Sequence, residues 1–185
     1  MASHFDTLPV QGRRGISRAV ISFAQRPADW RAAKEWIWKV AIAGLCGSIT
    51  HTLLMLAKAK LGILEPFQPY RSLQLALVYW SGHAVHPLLP WLLSYVNGST
   101  LAGFAFARLY RHLPGTSGPG KGFVAGMLGW LAMDLIFFPL LGLGLFAVHV
   151  GLGAWPALFS LAMMLTYSVV MGAVYGMIDA RPIAA

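Results

Sequence analysis

At 185 residues, 57% of them hydrophobic and only 11% charged, the chain lacks the roughly one-quarter charged content with which a soluble domain covers its surface. Its net charge of +8 comes mostly from cations before residue 40 and in one later connection, a pattern that suits an anionic membrane surface and speaks against nucleic acid. The single cysteine, Cys46, excludes an intrachain disulfide framework or a thiolate metal cluster.

In chain order, residues 1–12 read as a mobile cytoplasmic tail. Residues 13–25, "RRGISRAVISFAQ", place Ile16, Ala19, Val20 and Phe23 on one helical face with arginines elsewhere. That predicts an interfacial amphipathic segment over 13–35 that leads into the first span. Pro27 suits the first turn of the helix that follows. The first long apolar run starts near Trp36. It is too long for a signal-peptide core and lacks a small-residue cleavage site, so no cleaved signal is expected.

Four apolar runs, at about 36–62, 87–112, 122–148 and 154–178, each reach the roughly 20 helical residues that cross a hydrocarbon core. They predict one four-span membrane domain over 36–178, with a cytoplasmic tail at 179–185. Trp36, Trp38, Trp80, Trp91 and Trp155 fall near the span ends, where an aromatic belt belongs. Between the first two spans, residues 72–84 are too short to cross and predict a surface-lying or re-entrant helix on the outer side. "LPGTSGPGKG" at 113–122 is a Gly/Pro turn. It is not a phosphate loop, because Gly122 stands where the Walker pattern needs Ser or Thr and no strand precedes it.

Arg13, Arg14, Arg18, Arg26, Arg31, Lys34, Lys39, Arg108, Arg111, Lys121 and Arg181 lie on one side of this arrangement, against Lys58, Lys60 and Arg71 on the other. The bias predicts that both termini are cytoplasmic. An internal repeat also emerges. "AGLCG" at 43–47 matches "AGMLG" at 125–129, and "HPLLPWLL" at 86–93 resembles "WPALFSLA" at 155–162. From Pro87 and Pro156 alike it is 16 residues to Gly103 and Gly172. The expected fold is therefore an all-α polytopic membrane protein: four transmembrane helices as two repeated hairpins, plus an N-terminal interfacial helix and a short outer-side helix.

Asp134 lies halfway along the third run, and polar groups in the other runs reach a similar depth: His51, then Asn97, Ser99 and Thr100, then Thr166 and Tyr167. Unpaired polar groups in lipid cost several kcal/mol, so these residues are expected to face inward as a midplane polar layer. A His51–Asp134 contact is the natural pairing. The layer would serve as a proton relay, ion site or small-substrate site, or simply fasten the helices. Pro139, five residues after Asp134, is expected to kink the third span.

His83, His86 and His149 sit at the outer ends of their segments and are the candidates for a copper or zinc site. Pro87 disfavours helix at His86. A bis-histidine haem is disfavoured as well, because His51 is central and the outer histidines lie roughly 20 Å away along the normal. No cofactor is expected. Gly44, Gly47, Gly103, Gly122, Gly126, Gly129, Gly172 and Gly176 form small-residue faces for close helix packing, within the bundle or against another copy or subunit. No nucleophile motif, dinucleotide fingerprint or HExxH occurs, so a non-enzymatic role is favoured and an intramembrane enzyme ranks third among the readings.

The stretches "GFVAGMLGWLAMDLIFFPLLGLGLFA" and "YSVVMGAVYG" resemble the small, uncharacterised four-helix membrane proteins of bacteria. The resemblance implies an inner-membrane protein without an assigned activity, and it transfers no site residues. Small size, sparse loops and glycine faces point first to a non-catalytic accessory or scaffolding subunit of a larger membrane assembly. The alternative is a small transporter or channel-like protein built on Asp134 and His51.

Overall fold

A computed structural model describes residues 30–179, with side chains from residue 35 onward. The tail expected at 1–12, most of the amphipathic segment at 13–35 and the tail beyond Asp179 lie outside the described residues. Among the described residues the chain is helical and contains no strand.

Helix α1 (Trp30–Lys60) is the longest, with 31 residues. It stops where Gly62 and Leu64 take left-handed backbone angles, φ +62° and +50°. Pro69 opens α2 (Pro69–Ser81), and Gly82 closes it in a left-handed cap whose N–H donates to the Val78 carbonyl. The next rod is built in three consecutive pieces: α3 (Leu88–Asn97), a π turn (Gly98–Ala102) and α4 (Gly103–Leu109). Ser117 caps α5 (Gly118–Ala132) by accepting from the Gly120 N–H at 3.2 Å. A second π turn (Met133–Phe137) and the single turn α6 (Phe138–Leu140) continue that rod. Helix α7 (Trp155–Asp179) closes the fold.

Three of these rods are long and apolar enough to cross a membrane: Glu35–Lys60, Gly118–Leu140 and Trp155–Asp179. Their outward faces carry Leu53, Ile136 and Leu158, each more than half exposed. The rod from Leu88 to Leu109 is less apolar, because Asn97, Gly98, Ser99 and Thr100 interrupt it at its middle.

The third apolar run ends its helix at Leu140, short of the expected 148. Pro139 cannot bond back to the Leu135 carbonyl, but the ladder resumes beyond it, with the Leu141 N–H donating to the Phe137 carbonyl at 3.1 Å. Gly142 and Gly144 then turn the chain at φ +76°. A 3₁₀ segment follows (Leu145–Val150), within which Phe146 and Ala147 hold left-handed angles. Such angles cost a non-glycine residue about 1 kcal/mol. They persist because Ala147 is fully buried and the Phe146 ring packs on Trp130 at 5.6 Å.

Successive rods run antiparallel, and α7 touches each of the others. Its buried positions, Ala157, Ser160, Met163, Tyr167, Met171 and Tyr175, recur every three or four residues along one face. One end of the bundle joins α1 to the end of α7 through the Lys39–Asp179 ion pair at 3.1 Å. Behind it lies a core of Val40, Ala43, Phe106, Ala107, Leu113, Tyr167, Met171 and Tyr175. At the opposite end a smaller core of Phe67, Phe138 and Ala147 draws the loop after α1 into the bundle. Lys58 holds that loop. Its ammonium donates to the carbonyls of Leu64 at 3.1 Å and Phe67 at 2.8 Å, and it faces the rings of Phe67 and Phe159.

Candidate functional site

Asp134 occupies the second π turn and is completely buried between α5 and α7. Its partner is Ser160, whose hydroxyl lies 3.1 Å from Oδ2 and 3.4 Å from Oδ1. The Trp130 indole N–H, one turn before the acid, donates to Ser160 Oγ and to the Ala157 carbonyl, both at 3.1 Å. The Ser160 hydroxyl also reaches the Ala157 carbonyl at 2.9 Å. It has one proton and two acceptors within reach, so a carboxyl carrying its own proton would satisfy both contacts. Among the described residues Asp134 has no ion-pair partner.

His51 belongs to a different cluster. Its Nδ1 lies 3.2 Å from the Tyr70 hydroxyl, which lies 3.0 Å from Ser94 Oγ. Tyr70 comes from α2, and its ring stacks on Trp91 at 4.1 Å. The short helix thus inserts a side chain between α1 and α3. The expected His51–Asp134 pairing is replaced by these two separate networks.

The remaining members of the predicted layer go elsewhere. The Tyr167 hydroxyl donates to the carbonyl of Gly98, the first residue of the first π turn, at 2.8 Å. Ser99 donates to the Tyr95 carbonyl at 2.6 Å and Thr166 to the Ala162 carbonyl at 2.7 Å, while Thr100 bonds the Val96 carbonyl. These hydroxyls bond back four residues along their own helices rather than across the bundle. Asn97 is exposed. No described side-chain nitrogen or oxygen is buried without a hydrogen-bond partner.

The predicted packing glycines sit at helix crossings. Gly44 lies against the backbone of Gly98 and Ser99, Gly47 against the Tyr167 ring, and Gly103 against Val40. Gly122 abuts the Ser168 carbonyl, Gly126 meets Leu165 and Ser168, and Gly129 faces Met164. Gly172 and Gly176 approach Gly118. A Cβ at Gly122 or Gly172 would run into backbone, which is why only glycine fits there.

The outer histidines stay apart. His83 Nδ1 contacts the Ser81 carbonyl at 2.6 Å, His86 Nδ1 accepts from the Leu88 N–H at 3.2 Å, and His149 Nδ1 contacts the Gly142 carbonyl at 3.0 Å. Among the described residues no three His, Cys, Asp or Glu side chains gather as a metal site. Shallow recesses open on the surface among the described residues. One lies between Tyr110, Thr116, Pro119 and Asp179, another between Leu75, Tyr79, Trp80, Leu140 and Leu141. Neither is lined by Asp134 or His51.

Sequence reasoning missed Tyr70, Ser94, Trp130 and Ser160. Trp130 carried a signal, since it stands four residues before Asp134 on the same helical face. Ser160 and Tyr70 sit on other elements and become partners only through tertiary packing.

No curated protein and no solved structure matches the chain. A family model does match, over residues 35–185, and the chain accordingly belongs to the family of unknown function DUF6789.

Proposed function

We propose that this is an integral membrane protein of the bacterial inner membrane with four spans, α1, α3–α4, α5–α6 and α7, and with both termini cytoplasmic. Its role is non-catalytic: an accessory or scaffolding subunit of a larger membrane assembly. The observation that carries this reading is how the deep polar side chains are used. Asp134, Ser160 and Trp130 tie α5 to α7, Tyr167 ties α7 to the π turn, and Tyr70 ties α1 to α3. The recesses lie at the bundle ends and do not join these clusters. Polar contacts that fasten neighbouring helices are what a scaffold needs. The basic residues support the orientation, since Lys39 pairs with Asp179 at the end where Lys121 reaches the Tyr110 carbonyl, opposite Lys58.

The hairpin repeat is supported by matched contacts. Aligning Gly44 with Gly126 and Gly103 with Gly172 pairs Val40 with Gly122 and Ser99 with Ser168. Gly103 meets Val40 in one hairpin, and Gly172 meets Gly122 in the other. Gly44 meets Ser99, and Gly126 meets Ser168. Equivalent positions therefore approach closely twice.

The second reading, a small transporter, draws on one feature: a fully buried carboxyl on a π turn, a helix irregularity common at functional sites. Gentle solubilisation and purification separates the two. A stoichiometric partner protein supports the subunit, whereas an isolated homo-oligomer with pH-dependent flux supports the transporter. Asp134→Asn keeps an acceptor for Ser160. It is expected to leave folding and assembly within about 1 kcal/mol of the parent, measured by thermal unfolding in detergent and by partner co-purification. Loss of flux with folding intact would establish the transporter instead.

A further inference from the structure

One exposed stripe along α3 and the π turn that follows it is aliphatic except at Asn97. Leu89, Leu93, Asn97 and Leu101 follow one another every four residues, all exposed, with Leu101 at 71%. Thr100 beside them satisfies its hydroxyl within its own helix. Asn97 does not; its amide makes no side-chain hydrogen bond among the described residues. Two donors and an acceptor oxygen thus project from the middle of a rod, next to Gly98, whose own carbonyl is taken by Tyr167 from inside the bundle. In hydrocarbon such a group needs a partner, and water is absent there.

We infer that Asn97 is the centre of an interface with a second copy of this chain, in which the two Asn97 amides hydrogen-bond to each other. The choice of occupant follows from the chemistry of the amide and from its depth. A primary amide is self-complementary, because it offers N–H donors and a carbonyl acceptor in one plane. Two copies inserted in the same orientation and related by a two-fold axis along the membrane normal bring Asn97 to its own counterpart at the same depth. An unrelated partner would have to supply a polar group at that one level. Leu93 and Leu101, one turn to either side, then pack against their symmetry mates and exclude lipid from the amide pair. A single buried Asn in an aliphatic seam fixes register in the same way in coiled coils.

The inference rests on the reading of α3–α4 as a membrane span, and the experiment keeps the two separable. In a Cys46→Ser background, Leu101→Cys is introduced into the full chain and oxidatively crosslinked in diluted lipid vesicles, with Leu53→Cys on α1 as the control face. The expected result is a disulfide-linked dimer for Leu101→Cys and none for Leu53→Cys. Adding Asn97→Leu, which suits a lipid-facing helix and keeps the fold, should lower the dimer-to-monomer ratio about fivefold to thirtyfold, while Asn97→Gln retains it. A ratio unchanged by Asn97→Leu, a dimer through Leu53→Cys, or an adduct with a different protein would overturn the proposal. A membrane-impermeant maleimide gives the second readout. If Leu101→Cys is protected in intact vesicles yet monomeric, the span stands and the dimer falls. If it is labelled, both fall.

Discussion

The two hairpins solve the same packing problem at one end and different problems at the other. Towards the Lys39–Asp179 end both close at glycines: α1 meets α4 at Val40 and Gly103, and α5 meets α7 at Gly122 and Gly172. Beyond the middle they diverge. In the second hairpin, α5 and α7 bond directly through Trp130, Asp134 and Ser160. In the first, α1 and α3 are bridged by Tyr70 from the inserted helix α2. Small residues can recur in both hairpins because they only permit approach. Polar partners must be matched atom by atom, so an insertion rewrites them.

The sharpest way to break this comparison is to substitute the matched glycines. At Gly172 a new Cβ meets the backbone of Gly118 and Gly122, and neither can give way. Gly172→Val is expected to destabilise by about 3 kcal/mol or more and to collapse the yield of monodisperse protein on size-exclusion chromatography. At Gly103 the nearest atom belongs to the buried Val40 side chain, and the nearest backbone atom is farther off, at 3.3 Å. Gly103→Val should therefore cost less, about 1–2 kcal/mol. Equal effects at the two positions would undo the distinction between them.

An effect smaller than that at Gly172 is expected where the insertion is anchored. Lys58 is 6% exposed and holds two loop carbonyls, and the loop seats Phe67 against Phe138 at 5.7 Å. The first hairpin's insertion thereby packs onto the second hairpin's broken end. Lys58→Met removes both bonds and leaves the carbonyls of Leu64 and Phe67 unpaired, at a cost of about 2–3 kcal/mol. Limited proteolysis should then cut within 61–68, while the Lys39–Asp179 end keeps its protection. Cleavage spread evenly over the chain would show that the two ends do not open independently.

Much of this organisation was legible from residue pattern alone. The three long apolar rods announce themselves by length, and the glycines by their four-residue spacing. The polar chemistry was legible only as residue type. Asp134 and His51 were visible as anomalies in apolar runs, yet similar depth does not specify the azimuth at which a side chain leaves its helix. That angle decides that Asp134 meets Ser160, that His51 meets Tyr70 and that Asn97 points away from both. The early end of the third rod was hidden for a related reason. Leu, Phe and Val around Gly142 and Gly144 are as apolar as a helix, and apolar character does not report backbone angles.

The smallest expected effect tests whether the two polar clusters are independent. Tyr70→Phe keeps the stacking on Trp91 but removes the hydroxyl that joins His51 and Ser94. The loss should be about 1–2 kcal/mol, read as a lowered apparent Tm in detergent. His51→Leu breaks the same link, so the double variant should cost about 1 kcal/mol less than the sum of the single ones. Tyr70→Phe combined with Asp134→Asn should instead add within about 0.5 kcal/mol, because the two networks share no partner. Coupling between Tyr70 and Asp134 would mean that the polar groups act as one connected layer across the bundle. That is the arrangement a conducting path requires and a set of local fasteners does not.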